Sequence, residues 1–282
     1  MTMRRYLWWA VVYLLLIIWA LFILVPIYWA VITSFKTELD VYLGPKFLPW
    51  IDFQPTIRTW KKFFTTEWYT LARPLTNSLI VASTSAFFAV VMGTMAAYAL
   101  TRFRFRFGPF RNQDILFWIV SQRMMPPIVT VLAIFIILRT FNLLDTHVGL
   151  ILVYIAFNLP LAVWIMRNFL AQLPPSIEEA AMVDGASTWQ IFSRIIIPMT
   201  LPSLAATFLI CFVFAWNEFL FALILTFHKA QTIPILIAAQ HFQRGPQWWD
   251  ISALALIAIA PAMAIALGLQ RYLIRGLIPM ER

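Results

Sequence analysis

The chain has 282 residues, of which 62% are hydrophobic and 12% are charged, whereas a soluble domain usually carries about a quarter charged residues. This composition argues against a water-soluble protein, and the single cysteine, Cys211, excludes an intrachain disulfide. The net charge of +9 would suggest nucleic-acid binding in a soluble protein. In a membrane protein it is better explained by basic residues gathered in the loops on one side.

Six apolar segments are long enough to cross a bilayer, which requires about 20 residues. They are residues 6–33, 78–100, 115–138, 148–166, 201–227 and 251–274. The first is too long for a signal peptide and has no small-residue cleavage site at its end, so a retained helix is expected. The sequence therefore predicts an all-α integral membrane protein with six transmembrane helices in a single domain over residues 1–282.

The basic residues predict the orientation. With the N-terminus inside, the inside segments hold eleven cations: Arg4, Arg5, Arg102, Arg104, Arg106, Arg111, Arg167, Arg194, Arg271, Arg275 and Arg282. The two short outside loops hold three: Arg139, Lys229 and Arg244. Because Lys and Arg accumulate in cytoplasmic loops, both termini are expected in the cytoplasm.

Two outside segments carry many aromatic side chains. The loop at 34–77 is predicted to be extracytoplasmic, and its residues 57–64 have the pattern of a short amphipathic helix at the membrane surface. The second segment, 240–250, contains Trp248 and Trp249. Each segment could anchor the chain in the interface or contact a partner protein.

The third span contains a buried cation and a double proline. Intramembrane charges are costly and count as functional candidates, so Arg123 and its neighbour Gln122 are candidates for a substrate pathway. Pro126 and Pro127 remove amide donors and predict a broken helix beside them. The alternative for Arg123 is a side chain that extends to the inner headgroups.

The inside loop at 167–200 predicts two short helices. Pro174 and Pro175 end the fourth span, and Ser176 with Glu179 has the spacing of a capping box that would start a helix at about residue 177. Gly185 would end this helix in a left-handed conformation.

The second helix of this loop would begin at a further capping box, Ser187 with Gln190, and would end near Pro198. A short helix with small residues at its centre, here Ala180 and Ala181, can enter a groove on another protein. The alternative is a connector on the membrane surface.

The loop also carries a family pattern, matched at Glu179, Ala180, Ala181, Gly185, Ile195 and Pro198. It resembles the signature of permease subunits of binding-protein-dependent ABC importers, with Ile197 in the place of the usual Leu. The resemblance implies that the loop is a cytoplasmic helix-turn-helix that couples the permease to a separate ATPase. The residues implied in this coupling are Glu178, Glu179, Ala180, Ala181, Asp184, Gly185 and Pro198.

Three further segments look like the carbohydrate-uptake branch of that family, and the shorter of its two permeases, as in maltose or glycerol-3-phosphate importers. They are 123–127, 216–219 and 271–277. The resemblance implies inward transport of a carbohydrate, polyol or related solute such as glycerol or glycerol phosphate, across a bacterial or archaeal plasma membrane. The implied partners are a second homologous permease, two ATPase subunits and an extracytoplasmic solute-binding protein, which the outside loop would contact.

The chain has no phosphate-binding loop of the ATPase type and only 8 glycines. No enzymatic activity and no cofactor are therefore expected in this chain, and ATP with Mg²⁺ would be bound by the partner ATPase. No nucleic-acid partner is expected.

The fifth span contains Trp216, Asn217 and Glu218, an aromatic ring, an amide and a carboxylate that would suit a polyhydroxylated solute. The alternative is hydrogen bonding within the helix bundle. Asn158, before Pro160, and Asn77 are weaker pathway candidates.

Two other classes remain open. A secondary transporter or channel driven by an ion gradient would show inverted repeats and charge relays, and no internal repeat is evident. A membrane enzyme would need a cluster of His, Asp, Glu or Cys at one face. His147, His228 and His241 do not have the spacing of a metal site, and no metal is expected.

Overall fold

The computed structural model describes residues 3–242 and 245–277, and almost all of them are helical. Arg244 and Arg282, two of the loop cations, and residues 243–244 of the second outside segment lie outside the described residues.

The structure contains fourteen α-helices among the described residues. They are α1 (Met3–Ser34), α2 (Glu38–Tyr42), α3 (Arg58–Lys61), α4 (Trp68–Arg102), α5 (Asn112–Ser121), α6 (Pro127–Thr140), α7 (His147–Leu170), α8 (Ser176–Val183), α9 (Thr188–Ile191), α10 (Ile197–Met199), α11 (Leu201–Trp216), α12 (Leu220–Leu225), α13 (Ile233–Phe242) and α14 (Trp248–Leu277). Two π turns, Lys62–Thr66 and Phe192–Ile196, continue α3 and α9, and a 3₁₀ turn, Gln122–Met124, continues α5. An antiparallel pair of two-residue strands, β1 (Arg106–Phe107) and β2 (Phe110–Arg111), precedes α5.

The described helices agree with the predicted spans in number and type. Four helices, α1, α4, α7 and α14, are long and apolar enough to cross a membrane, and two bent helix pairs bring the total to six if each counts as one span. The second span begins at Trp68 rather than at 78, because Pro74 is accommodated inside α4. The β1–β2 hairpin was not predicted.

The third span is broken as its prolines predict. Residues 112–124 and 127–140 meet at a bend of 90°. Neither Pro126 nor Pro127 has an amide hydrogen, and the backbone of Pro126 is extended at ψ 131° before Pro127 starts α6.

The fifth span differs from its prediction. The expected continuous helix over 201–227 is two helices, α11 and α12, separated by residues 217–219. A second bend of 76° joins residues 188–199 of the preceding loop to α11.

Internal contacts divide the chain into two units. One contains residues 73–235 and 261–282, and the other contains 1–72 and 236–260. In the first unit, α7 packs along α11, and its buried side chains include Tyr154, Met166, Phe212 and Cys211. Helices α4 and α7 approach so closely at Gly93 that a Cβ there would lie 2.6 Å from the Cβ of Ala162, as small residues allow in membrane helix packing.

In the second unit, α1 is apolar along its length, and none of its most apolar 18-residue window is buried. Its C-terminal end is fixed by the loop that follows. The Tyr28 hydroxyl donates to the carbonyl of Phe47 (2.6 Å), the Trp60 indole donates to Ser34 Oγ (3.2 Å), and Lys36 Nζ donates to the carbonyl of Lys46 (2.7 Å).

Candidate functional site

The first helix of the 167–200 loop ends as its sequence predicts. Gly185 has φ +82°, its N–H donates to the carbonyl of Met182 (3.0 Å), and the N–H of Ala186 donates to the carbonyl of Ala181 (3.0 Å). These two bonds form the Schellman arrangement, which satisfies the last carbonyls of α8. A Cβ at Gly185 would meet nothing within 4 Å, so glycine is required there by the backbone conformation and not by lack of space.

The start of this helix corrects the sequence expectation. Ser176 and Glu179 do not form the predicted capping box, because the N-cap is Pro175, which has no side-chain bond to the helix. Ser176 is already helical, and the N–H groups of Glu178 and Glu179 donate to the carbonyl of Pro175 at 2.9 and 3.0 Å.

The second capping box is confirmed. The Ser187 N–H donates to Gln190 Oε1 (2.8 Å), and the Gln190 N–H donates to Ser187 Oγ (3.3 Å). The helix then continues through the π turn to Met199, and Pro198 lies exposed in its last turn.

Glu178 attaches the 167–200 loop to the end of α4. Its side chain is buried, Oε2 accepts from the Tyr98 hydroxyl (2.8 Å), and Oε1 accepts from Arg102 Nε. Arg102 Nη2 also donates to the carbonyl of Leu173 (3.1 Å). Glu178 therefore faces its own chain, although the family resemblance grouped it with the residues that contact the ATPase.

Beneath the loop lies a hydrophobic cluster that holds both short helices. It contains Ala97, Tyr98, Met166, Leu170, Ile191, Phe192 and Ile196, with Ala181 packed against it. The Tyr98 and Phe192 rings are 5.0 Å apart between centroids. The loop is therefore a packed part of this unit.

The opposite face of the loop is exposed. Glu179, Ala180, Asp184 and Gly185 lie on it, together with Met182, Val183 and Trp189, which are 56%, 88% and 64% exposed. Large apolar side chains gathered on a surface are typical of contacts with other proteins. The sequence did not single out these three residues, although their position beside the family motif could have identified them.

Arg123 lies at the break of the third span. Its Nη1 donates to the carbonyl of Phe157 (2.9 Å), and its guanidinium carbon lies 4.7 Å and 4.4 Å from the ring centroids of Phe157 and Phe214. Cation–π contact of this kind stabilises a guanidinium away from water. Among the described residues it forms no ion pair with Glu218, and its side chain points toward the rings of Phe157 and Phe214.

Arg123 and Gln122 line a cavity of about 510 Å³ whose other walls are mostly apolar, including Phe157, Pro160 and Phe221. Gln122 is exposed, and its amide lies 3.4 Å from the carbonyl of Trp118. A polar edge in an otherwise apolar cavity suits a small organic ligand.

Glu218 lies at the break of the fifth span and caps α12. Its carboxylate accepts from the Tyr154 hydroxyl (2.8 Å) and from the N–H groups of Phe221 (2.9 Å) and Ala222 (3.1 Å). These three donors come from its own chain, which favours the structural interpretation of this residue.

The neighbours of Glu218 differ in exposure. Trp216 is 4% exposed and stacks on Phe212 at 5.5 Å, whereas Asn217 is exposed and donates to the carbonyl of Val213 (2.9 Å). Asn158 is buried, its Nδ2 donates to the carbonyl of Cys211 (3.3 Å), and its Oδ1 has no hydrogen-bond partner among the described residues.

Comparison with known proteins identifies the family of this chain. Residues 89–279 match the family described as binding-protein-dependent transport system inner membrane component. The chain belongs to this family.

Known relatives of this permease span nearly its whole length. It is 34% identical over 282 residues to the trehalose transport system permease protein SugB of Mycobacterium tuberculosis, with 98% of this chain and 97% of that protein covered. It is 32% identical over 263 residues to the trehalose/maltose transport system permease protein MalG of Thermococcus litoralis, with 93% and 92% covered.

The fold of the permease is also found in a solved structure. A chain of a bacterial ABC transporter involved in the import of the acidic polysaccharide alginate superposes with a TM-score of 0.74 at 21% identity, with 97% of this chain and 99% of that chain covered. At this identity the likeness shows the fold alone. The resemblance to ABC importer permeases and the all-α, multi-pass membrane fold are confirmed.

A network that the sequence did not predict joins two loops of the permease, 141–146 and 226–232. The Asp145 carboxylate accepts from the N–H groups of Phe227, His228, Lys229 and Ala230 at 2.9 to 3.2 Å. Burial raises the pKa of this carboxyl, but the backbone donors outweigh burial and hold the pKa below its usual value.

Asn77 joins the same network. Its Nδ2 donates to the carbonyls of Lys229 (3.0 Å) and Gln231 (2.8 Å), which leaves Oδ1 to accept from His147 Nε2 at 2.7 Å. Asn77, a weak pathway candidate in the sequence, is therefore occupied in holding loops together. No group of three or more His, Cys, Asp or Glu residues that could hold a metal occurs in the described part of the chain.

Proposed function

We propose that this permease carries a sugar inward as one half of an ATP-driven importer, and that a separate ATPase supplies the energy. The match to the family supports the importer role. The names of two relatives, transport system permeases for trehalose and for trehalose and maltose, support the solute class. Polyols and glycerol phosphate belong to the same hydroxyl-rich chemistry and are tested alongside sugars.

The exposed face of the 167–200 loop, here called the exposed ridge, is the observation that carries the coupling role. Its residues are Glu179, Ala180, Met182, Val183, Asp184, Gly185 and Trp189. Apart from Ala181, residues 179–185 present small, apolar and acidic groups outward, while Glu178 and the cluster beneath hold the loop rigidly against α4 and α7. A rigid ridge transmits a push from a docked ATPase, whereas a mobile loop would absorb it. In this proposal Glu179, Ala180, Ala181, Asp184, Gly185 and Pro198 form or shape the docking surface, and Glu178 positions it.

The intramembrane candidates divide into two roles. Gln122, Arg123 and Asn217, which border a cavity or are exposed, would line the solute pathway. Trp216, Glu218 and Asn158, which are buried or half-buried and do not line that cavity, would fix the shape of the pathway.

The partners would be a second homologous permease, two ATPase subunits that bind ATP and Mg²⁺, and an extracytoplasmic solute-binding protein. Both termini would lie in the cytoplasm of a bacterial or archaeal cell, which places the 167–200 loop with the ATPase. The eleven inside cations support this orientation.

Uptake into proteoliposomes tests the proposal. The assembled importer, with its binding protein added, is expected to accumulate radiolabelled trehalose or maltose only when ATP is present. Glycerol and glycerol 3-phosphate are measured in parallel. Accumulation that continues with a hydrolysis-deficient ATPase, or that depends on an ion gradient, would contradict it.

A further inference from the structure

A short β-hairpin with interleaved basic and aromatic residues connects α4 to α5. Residues 103–111, here called the basic hairpin, contain Arg104, Arg106 and Arg111 and no acidic residue. All three arginines are exposed, and none of them forms an ion pair among the described residues. Their guanidinium groups are therefore available to an anionic partner.

The pairing of the two strands brings two of these cations together. Arg106 lies directly opposite Arg111 in the antiparallel register, and like charges at such positions destabilise a strand pair. The nearest acidic residue in the sequence, Asp114, is engaged at the start of α5, where its Oδ2 accepts from the Arg111 N–H (2.8 Å). A bound anion would remove the repulsion between the two arginines.

The basic hairpin is fixed to the ends of two membrane helices. α4 ends at Arg102, and α5 begins at Asn112. The Asn112 Nδ2 donates to the carbonyls of Leu100 (2.7 Å) and Phe103 (2.6 Å), and its Oδ1 accepts from the Phe105 N–H (2.8 Å). Because these three bonds tie the base of the hairpin to the last turn of a membrane span, its cations lie at the level of the lipid headgroups.

Exposed aromatic rings favour lipid over protein as the anionic partner. Phe103, Phe105 and Phe110 are 45%, 43% and 53% exposed. Successive strand residues point to opposite faces, so the Phe110 ring and the Arg111 guanidinium lie on different faces of the hairpin. An acidic protein surface would neutralise the arginines and leave the rings in water. A bilayer surface offers phosphate oxygens to the arginines and apolar acyl chains to the rings.

We infer that the basic hairpin binds the headgroups of anionic phospholipids in the surrounding membrane. The guanidinium groups contact the phosphates, and the phenylalanine rings enter the boundary between headgroups and acyl chains. Basic residues next to a transmembrane helix attract anionic lipids of the cytoplasmic leaflet in this way. The inference rests on the proposed function only for the choice of leaflet, because the binding requires neither ATP nor solute.

Photocross-linking in lipid nanodiscs tests this binding. The assembled importer is placed in discs of phosphatidylcholine that contain a small fraction of a photoreactive lipid. This lipid is either phosphatidylglycerol or phosphatidylcholine, with the same reactive group on the acyl chain. Cross-links to residues 103–111 are quantified by mass spectrometry. Because each basic residue near an anionic surface contributes a factor of about five, the yield with phosphatidylglycerol should be at least about fivefold higher.

The double variant Arg106→Gln with Arg111→Gln should lose most of this preference for phosphatidylglycerol. Its unfolding temperature in discs of phosphatidylcholine alone should be no lower than that of the unchanged importer, since the repulsion between the two arginines is removed. If the double variant does not assemble, Arg104→Gln decides the result, because Arg104 lies outside the paired strands. This single variant should lower the preference by about fivefold.

Arg139→Gln with Arg194→Gln is the matched control. It removes the same number of exposed positive charges at positions outside the basic hairpin. The preference of residues 103–111 for phosphatidylglycerol should be unchanged in this variant.

Three outcomes would overturn the inference: equal yields of the two lipids in the unchanged importer, an unchanged preference in the hairpin variants, or the same loss of preference in the control. Loss of ATPase copurification in the hairpin variants with an unchanged lipid preference would identify an acidic protein surface as the partner instead.

ATP-driven uptake is measured in proteoliposomes made from the same purified importer. Normal uptake without a lipid preference removes this inference alone. Absent uptake by the unchanged importer removes the proposed function and leaves the lipid binding in place.

Discussion

Glu178 and Glu179 are neighbours in sequence with opposite surroundings. The Glu178 carboxylate is buried between Tyr98 and Arg102, and the Glu179 side chain is exposed on the outer face of the loop. Because successive helix positions point about 100° apart, one of the two can hold the loop while the other meets a partner.

Replacing Glu178 should therefore lower the stability of the permease, whereas replacing Glu179 should weaken its binding to the ATPase. Glu178→Ala leaves the buried Tyr98 hydroxyl and Arg102 guanidinium without their acceptor and should lower stability by about 1–3 kcal/mol. Thermal unfolding of the purified permease measures this loss. Glu179→Ala should leave the unfolding temperature unchanged and reduce ATPase copurification. Equal unfolding temperatures for both variants would contradict the positioning role of Glu178.

Asp145 should make part of the stability depend on pH. Its pKa is lowered in the folded chain, so its contribution is fully present above the usual Asp pKa of about 3.9 and is lost as the pH falls through the folded-state pKa. The difference in unfolding temperature between the unchanged protein and Asp145→Asn should be constant near neutral pH and shrink below about pH 4.

The exposed Asp184 provides the control for this measurement. Asp184 does not accept from four backbone N–H groups as Asp145 does. The unfolding temperature of Asp184→Asn should therefore differ little from that of the unchanged protein at every pH. A difference for Asp145→Asn that grows on acidification would have the wrong sign for a lowered pKa.

The helix breaks show how far local sequence determines an element. The break of the third span follows from Pro126 and Pro127, which lack amide hydrogens, and it could be predicted. The break at 217–219 could not, because no proline or glycine lies there. It is stabilised by the Glu218 carboxylate, which caps α12 and binds Tyr154 on another helix, and such tertiary contacts have no local signal.

The two capping boxes make the same distinction. Ser187 with Gln190 forms as predicted, but Ser176 does not cap, because Pro175 lets the helix begin earlier. The prediction of the loop's two helices and of Gly185 was correct. The sequence did not predict that Glu178 binds the end of α4, or that Asp145 binds the 226–232 loop. These contacts join residues 76 to 85 positions apart in the chain, and such contacts leave no local signal.

A substitution at Gly185 tests whether the shape of the 167–200 loop matters for ATPase binding. Gly185→Val places a β-branched residue at φ +82°, which costs about 1–2 kcal/mol, and should distort the outer face at residues 179–185. ATP-driven uptake and ATPase copurification are expected to fall while membrane insertion is retained.

Gly44→Val is the matched control for this strain. Gly44 also has positive φ (+120°), and a Cβ placed there would meet nothing within 4 Å, but it lies in the 34–77 loop, far in sequence from the 167–200 loop. Its variant should be strained at least as much, because φ +120° is further from the left-handed region open to L residues than φ +82°, and it should keep ATPase copurification. Loss of copurification in both variants would mean that general destabilisation, and not the loop surface, is responsible.

For the whole molecule, fold class and span number were predictable because apolar length and loop charge are properties of the composition of each segment. The orientation itself can be measured with single cysteines in a Cys211→Ser background. Val183→Cys, 88% exposed, should react with an impermeant maleimide only from the cytoplasmic side, and Ile51→Cys, 78% exposed, only from outside. The reverse pattern would invert the proposed topology.

The aromatic residues of the exposed helix α1 indicate the thickness of the membrane that surrounds it. Aromatic residues stand near its two ends, Trp8 and Trp9 at one and Tyr28 and Trp29 at the other. From Trp9 to Trp29 the rise is about 30 Å at 1.5 Å per residue, which equals the usual thickness of the hydrocarbon layer. Since indole and phenol rings settle at the level of the headgroups, the spacing of these rings matches a bilayer of ordinary thickness.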